Sequence, residues 1–519
     1  MVEAVVIAPT IQETVEKQQE RIVALERENK ILREQLALLR QHMFGRRTER
    51  LEPGQLGLFA NAGLAEAAAE AAATLESVPQ RSRKPKGHGR AAFSAHLPRE
   101  TVVCSVPEED RTCPDCGKAM QRIGTEITER GHFVPAHFVV KSFEREKLAC
   151  PAGHAVVTAK APEPLVRRCK YEPSSYAHVA VSKYQDHVPL HRMQGILKRQ
   201  GAQLSKQTMW DMLVTVDELV AQPILEQARK ELLESGVLQS DESPVRMRLE
   251  DGKGSRETTV WVWRSLREEV PRKVLVQFEI AKSRDGPKRF LGDWKGTLVS
   301  DGTSLHDDVA RSNGIVRAGC WSHARRYFKK ALDVGTRQAA LCVAPMNRLF
   351  WIERAVNRRA DRLRLELEGR LGLRGRIRAQ RSTLVVRKLY KVANTLGQDA
   401  ATLPRGQLGK GLTYLENQRA PLEVFLTDPR VPLSNNDSER DLRHIVVGRN
   451  NWLVFASPRG GEVACRLYSL MLSCKENGVD PQAYVEDLLT RVSTTPASRI
   501  SELTPWGWAA ARVRRGPAS

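Results

Sequence analysis

The sequence predicts a multidomain α+β protein of 519 residues: a long N-terminal helix, a small cysteine-bearing domain, a helical segment and a mixed α/β core. Three observations carry this expectation. A seven-residue apolar repeat runs through the first fifty residues, the period of a coiled-coil helix. A close cysteine pair, Cys113-Pro-Asp-Cys116-Gly117, follows a basic stretch rich in Pro and Gly. Beyond residue 233, alternating apolar segments are spaced as strand, strand, strand, helix, strand, two of them ending in aspartate. With 41% hydrophobic and 28% charged residues the chain is long enough for three to four cores.

Composition narrows the partner. Lys and Arg total 82 against 61 Asp and Glu, a net charge of +21. Such a surplus argues against an ordinary metabolic enzyme and for a polyanion, most commonly nucleic acid, whose phosphates release counterions to Lys and Arg; the bland alternative is a solvated basic surface. No run approaches the roughly 18 apolar residues of a membrane span, and the first residues carry Glu3 in place of a basic signal region. The expectation is a cytoplasmic, nucleoid-associated protein. Nine scattered cysteines read as reduced thiols plus one metal site.

In residues 11–50, heptad a positions are Val15, Ile22, Asn29, Leu36 and Met43, and d positions Gln18, Leu25, Leu32 and Leu39. Arg21 with Glu26 and Glu28 with Arg33 give two opposite-charge g-to-e pairs, and one Asn at an a position favours two strands in register. A zipper homodimer is expected; a helix docked on its own core is the alternative. Residues 51–100 read as an Ala-rich and basic linker, with RSRKPKGHGR at 81–90 either lying along phosphates or serving as a soluble spacer.

Residues 101–165 read as a zinc domain. Cys113 and Cys116 lie on a tight turn, and Cys150-Pro-Ala-Gly-His154 offers the second half of a Cys3His structural Zn²⁺ site, with two strands expected in the intervening 132–149. Cys104 and Cys169 are alternative ligands to His154. Residues 170–232 read as helices: one ends near Gln200-Gly201, and Ser205 N-caps the next. That spacing suits a helix-turn-helix with Lys206 and Gln207 at a DNA-facing N-terminus, or a plain helical hairpin.

Within residues 233–490, Asp241 follows a short apolar run and precedes a turn; Thr259–Arg264 and Val274–Phe278 are consecutive antiparallel strands; Gly296–Asp301 is a strand ending in acid. This order is similar to ribonuclease-H-like nucleases, where adjacent strands bring two aspartates to one site. The third acid is Glu439, at the start of a helix that also carries Arg440, Arg443 and Arg449. Its plainer role is a capping box with Asn436. Three carboxylates suit two Mg²⁺ (or Mn²⁺) ions, which take hard oxygen ligands and serve both oxygens of an in-line phosphoryl transfer. Cys320-Trp321-Ser-His323-Ala-Arg325-Arg326 reads either as a DNA contact, with Trp321 stacking on a base, His323 near the scissile group and the arginines on phosphates, or as a core turn with a buried Cys. A helical insertion is expected at about 330–430; its stretch 353–391 carries 13 Arg/Lys and 4 Asp/Glu.

The blocks MFGRRTERL, CPDCG, KYQDHVPLHR, SDESPV, VSDG, GCWSHARR, LSNNDSERDLR, GRNNWLVFAS, ENGVDPQAYVEDLL and TPWGW occur in this order from about residue 40 onward. In this the chain resembles transposases of the insertion sequence 66 family. The resemblance implies a DDE transposase that binds transposon-end and target DNA, with Asp241, Asp301 and Glu439 as metal-binding triad, and accessory proteins from the same element. One departure stands: the family generally closes its zinc site with a second C-x2-C, where this chain has Cys150 and His154. A catalytically inactive DNA-binding regulator, or decayed transposase, is the competing reading. Residues 491–519 are expected as a C-terminal tail.

Overall fold

The structure, a computed structural model, describes residues 11–44, 138–149, 156–160, 164–166, 169–250, 253–399 and 402–515. The chain divides into two compact units, Met1–Gln55 with Ser142–Ser519, and Leu56–Lys141. The second lies almost wholly outside the described residues; the elements from α1 to α17 belong to the first.

Helix α1 (Ile11–Phe44) spans the heptad repeat. Its seam residues Ile22, Leu25, Leu32 and Leu36 are about half exposed. Ile31, Glu34 and Ala37, on a different face, are half-buried. Glu34 accepts the backbone N–H of Gln407 at 3.0 Å and the Thr336 hydroxyl at 3.4 Å. The helix therefore docks on its own unit through a face that leaves the heptad seam open.

Strands β1 (Lys147–Ala149) and β2 (Val156–Thr158) pair antiparallel, Ala149 opposite Val156. The hairpin thus flanks the Cys150–His154 half of the zinc motif. Two strands were expected within 132–149; of the described residues in that span, 147–149 is β1 and 138–146 forms no ladder. Cys113, Cys116, Cys150 and His154 lie outside the described residues. Cys169 is half-buried and accepts the Tyr171 N–H and the Tyr176 hydroxyl at 3.3 and 3.2 Å.

A helical layer follows: α2 (Pro173–Tyr184), α3 (Leu190–Arg199), α4 (Lys206–Val216), a π turn (Asp217–Ala221) and α5 (Gln222–Leu232). Gly201, at φ +86, reverses the chain after α3 where a side chain would be strained. The Ser205 hydroxyl accepts the Thr208 N–H at 3.0 Å, the cap expected from the sequence. Asp217, 1% exposed, accepts two hydrogen bonds from Arg466 and fixes the π turn.

The core sheet holds β3 (Val237–Arg248), β4 (Ser255–Ser265), β5 (Val274–Glu279), β6 (Thr297–Val299) and β7 (Val316–Ala318) in the order β5-β4-β3-β6-β7. The first three are antiparallel neighbours; β6 and β7 run parallel to β3. Helices α6 (Asp285–Leu291) and α7 (Ser304–Asn313) connect them. Where a turn was expected after Asp241, β3 continues through Pro244, opposite Thr259. Proline is tolerated because β6 has already ended on its other side, at Gln239, so no ladder hydrogen bond is lost there.

Between β7 and the last core helices lie α8 (Trp321–Asp333), α9 (Ala340–Arg362), α10 (Leu367–Ile377), α11 (Thr383–Gln398), α12 (Gln407–Asn417) and α13 (Arg419–Thr427), packed around Phe328, Leu349, Leu389, Leu422 and Phe425. Then come α14 (Asn436–Trp452), β8 (Val454–Phe455), which pairs β3, α15 (Pro458–Glu476), α16 (Pro481–Arg491) and α17 (Pro505–Arg515). Helix α15 covers the open edge of the sheet: Ser469 and Ser473 accept the N–H groups of Val276 and Val274. Within the expected C-terminal tail, the described residues 491–515 are packed structure. Trp506 belongs to the Trp261/Trp263 cluster, and its indole N–H donates to Glu231 at 2.6 Å.

Candidate active site

Strand pairing brings the two aspartates together. The parallel rungs of β3 and β6 end at Gln239 opposite Val299, and Asp241 and Asp301 each lie two residues beyond. The third acid arrives through the start of α14. Asn435, fully buried, donates its amide to the Ser240 carbonyl at 2.8 Å, and its backbone N–H to Cys320 Sγ at 3.3 Å. These bonds stitch β3, α8 and α14 at one point. The capping-box reading of Glu439 is overturned: Asn435 is the flanking residue without a side-chain cap, and the Glu439 carboxylate lies 3.5 Å from His323 Nε2 and 3.5 Å from Arg326 Nη2.

These acids are coupled electrostatically. Burial, then the charges of Asp301 and Glu242, push the Asp241 carboxyl up to about 8. Burial acts in the same direction on Asp301, but the hydrogen bond and charge of His306, with the charge of His323, outweigh it and hold that carboxyl at about 2. Asp301 therefore carries the negative charge and Asp241 the proton. Burial and the Arg326 charge lower the His323 pKa. Glu439 Oε1 is buried without a hydrogen-bond partner. Crowded carboxylates, one protonated and one with an orphaned oxygen, are short of positive charge, and their hard oxygens fit a divalent cation such as Mg²⁺ or Mn²⁺.

Backbone props hold Asp301. Thr303 N–H donates to its Oδ1 at 3.3 Å, and Arg317 donates to its carbonyl while pairing with Asp307 at 2.9 Å. Gly302 is needed for close approach, since a Cβ there would stand 2.8 Å from the Tyr414 ring. Behind α14, fully buried Arg264 on β4 binds Asp441 at 2.7 Å and Glu476 at 3.3 Å.

The remaining expected site residues separate. Lys206 and Gln207 are exposed at the start of α4, with Gln207 bound to Asp211 at 2.8 Å. Trp321 is no stacking platform: it is fully buried against Phe425, and its indole N–H donates to the Leu422 carbonyl. Its large apolar ring fills the core of the helical insertion. Arg325 lies over the Phe350 ring and donates to Asn347, while Arg326 stays 42% exposed beside Glu439. Arg440 pairs with Asp437 at 3.1 Å, and Arg443 is exposed. Arg449 is half-buried and bound to Ser243 and the Pro244 carbonyl, which makes it a brace for β3. Sequence reading missed Glu242, Lys282 and His306. Glu242 was legible as the immediate neighbour of Asp241; His306 and Lys282 are joined to it only by the fold.

Comparison with known proteins shows the family. The family described as "Transposase IS66 family" matches residues 168–463, which include all three acids. "Transposase C of IS166 homeodomain" matches 31–102, "zinc-finger binding domain of transposase IS66" matches 110–152, and "IS66 C-terminal element" matches 469–506. The zinc-finger match takes in Cys113, Cys116 and Cys150 and stops before His154. Three relatives come from Sinorhizobium fredii (strain NBRC 101917 / NGR234). Uncharacterized protein y4qI is 30% identical over 86% of this chain and 81% of its own length. Uncharacterized proteins y4hP and y4jD are 27% and 28% identical, over 94% and 93% of this chain and 89% and 95% of their own. No helix among the described residues is long and apolar enough to cross a membrane. The chain belongs to the IS66 family of transposases.

Proposed function

We propose that this transposase cleaves the 3′ ends of its element and joins them to target DNA at one carboxylate site, Asp241, Asp301 and Glu439, within a ribonuclease-H-like core. The observation that carries this reading is the parallel pairing of β3 with β6, which sets Asp241 beside Asp301. The strand order, three antiparallel strands followed by two parallel ones, supports the fold assignment.

Asp241, Asp301 and Glu439 would hold two divalent ions, Mg²⁺ or Mn²⁺. When bound, these supply an activated attacking oxygen and a stabilised leaving oxygen. In the first step water attacks the phosphorus at the element end and gives up a proton; the P–O3′ bond breaks and the departing oxygen takes a proton to become the 3′-OH. In the second, that 3′-OH gives up its proton and attacks a target phosphorus, and the target O3′ leaves and is protonated to a hydroxyl. His323 and Arg326 orient Glu439, and the exposed Arg326 reaches a nearby phosphate. Arg440, Arg443 and the basic face of the insertion bind flanking phosphates, while Lys206 and Gln207 meet DNA at the start of α4. Cys113, Cys116, Cys150 and His154 form the structural Zn²⁺ site. The exposed α1 seam supports a homodimer that holds two ends together.

Asp241→Asn and Asp301→Asn are expected to leave terminal-repeat binding intact while abolishing Mg²⁺-dependent nicking and strand transfer of a labelled end. Cleavage retained by either variant sinks the triad; binding without nicking in the wild-type chain favours the regulator reading.

A further inference from the structure

We propose that Glu242, Asp301 and His306 form an additional divalent-cation site, on the sheet face opposite Asp241 and Glu439, closed by the Lys282 ammonium until an ion displaces it. Adjacent residues on a strand point to opposite faces, so Glu242 leaves β3 on the other side from Asp241. Its cross-strand partner is Trp261, whose ring meets His306 edge-on, at 5.2 Å between centroids. On the Asp241 side, Arg264 of β4 reaches Asp441 of α14.

The donors converge. One ligand atom from each of Glu242, Asp301 and His306 lies within 4.8 Å of the other two. His306 Nδ1 stands 3.5 Å from Asp301 Oδ1 and 2.8 Å from Thr303 Oγ1, which fixes the ring. Two carboxylates and an imidazole suit a cation such as Mn²⁺, which accepts both oxygen and nitrogen ligands. Independently of the clustering, the Glu242 side chain is only 6% exposed, and its Oε2 is buried with no hydrogen-bond partner. A desolvated carboxylate oxygen without a partner is one a cation would satisfy.

Lys282 occupies the position of such a cation. Its Nζ is 2.9 Å from Glu242 Oε1, on a side chain half exposed in the segment between β5 and α6. One ammonium against two carboxylates leaves the group a charge short, and the long stem of a half-exposed lysine can swing into solvent without disturbing the sheet. An arriving divalent ion would complete the charge and free Lys282 to face a phosphate.

The site shares Asp301 with the proposed catalytic set, so the test separates them. Mn²⁺ binding to the full chain, with its structural site saturated by Zn²⁺, is titrated by electron paramagnetic resonance. Glu242→Gln is expected to remove one bound Mn²⁺, or weaken it at least about tenfold, and Lys282→Met to tighten the same ion by about tenfold. Asp241→Asn with Glu439→Gln should leave this ion in place while losing the others. Unchanged Mn²⁺ binding in Lys282→Met, a surface change that spares the fold, overturns the proposal, as does unchanged stoichiometry in Glu242→Gln. If the Asp241/Glu439 double variant keeps every ion, the catalytic assignment fails and this site stands.

Discussion

At the scale of single residues, the fold crowds acids together and withholds solvent from them. Asp241 is the clearest case. Its folded pKa of about 8 exceeds the ordinary 3.8, so between those values the folded chain holds a proton that the unfolded chain releases. The group therefore costs stability progressively as pH rises through that window. Asp241→Asn is expected to stabilise the metal-free protein at pH 7 by about 1–4 kcal/mol and to flatten this part of the pH profile; thermal unfolding between pH 5 and 8 measures both. Arg264 is the converse, a buried cation satisfied by Asp441 and Glu476. Arg264→Leu leaves two carboxylates without their counter-ion and should cost about 3–5 kcal/mol in chemical denaturation. The role of Arg264 was not legible in the sequence: Arg264 and Asp441 are separated by 177 residues, and only packing makes them partners.

At the scale of elements, periodicity was read well where one face of a helix or strand meets one environment. Helix α1, the turn after α3 with its Ser205 cap, and the β3–β4–β5 meander follow the expected pattern because local rules fix them. The turn expected after Asp241 failed for a tertiary reason. Pro244 ordinarily ends a strand, but here it falls where β3 lacks a neighbour on one side, so the strand runs on. For α1, the seam left exposed while Glu34 docks predicts that Leu25→Ala with Leu32→Ala yields a monomer by multi-angle light scattering, with the thermal transition of the catalytic unit unmoved. A wild-type monomer would remove the zipper reading.

At the scale of the whole molecule, the net charge of +21 divides into two kinds of base. In 353–391, Arg374 and Arg378 are buried and bound to Glu268 and Glu353, where they hold helices together; ten of the thirteen bases in this stretch are exposed. Arg354, Arg358 and Arg362 recur every four residues along one face of α9. Replacing these three with Ala should weaken end binding similarly for specific and random DNA, and lower the slope of log K against log salt by about 3. A slope that does not change would assign that face to solvent.

Sequence alone determined what depends on local pattern: the heptad period of α1, the succession of strands from β3 to β6 and the family that the order of the motifs marks. Tertiary structure alone decided which side chains share a site. It buried Trp321 and turned the Glu439 carboxylate toward His323. It folded the expected tail onto Glu231, and brought Glu242, His306 and Lys282 to Asp301. Periodicity records which face of an element is apolar; it does not record which distant element covers that face, and the charge balance at Asp301 is set by that cover.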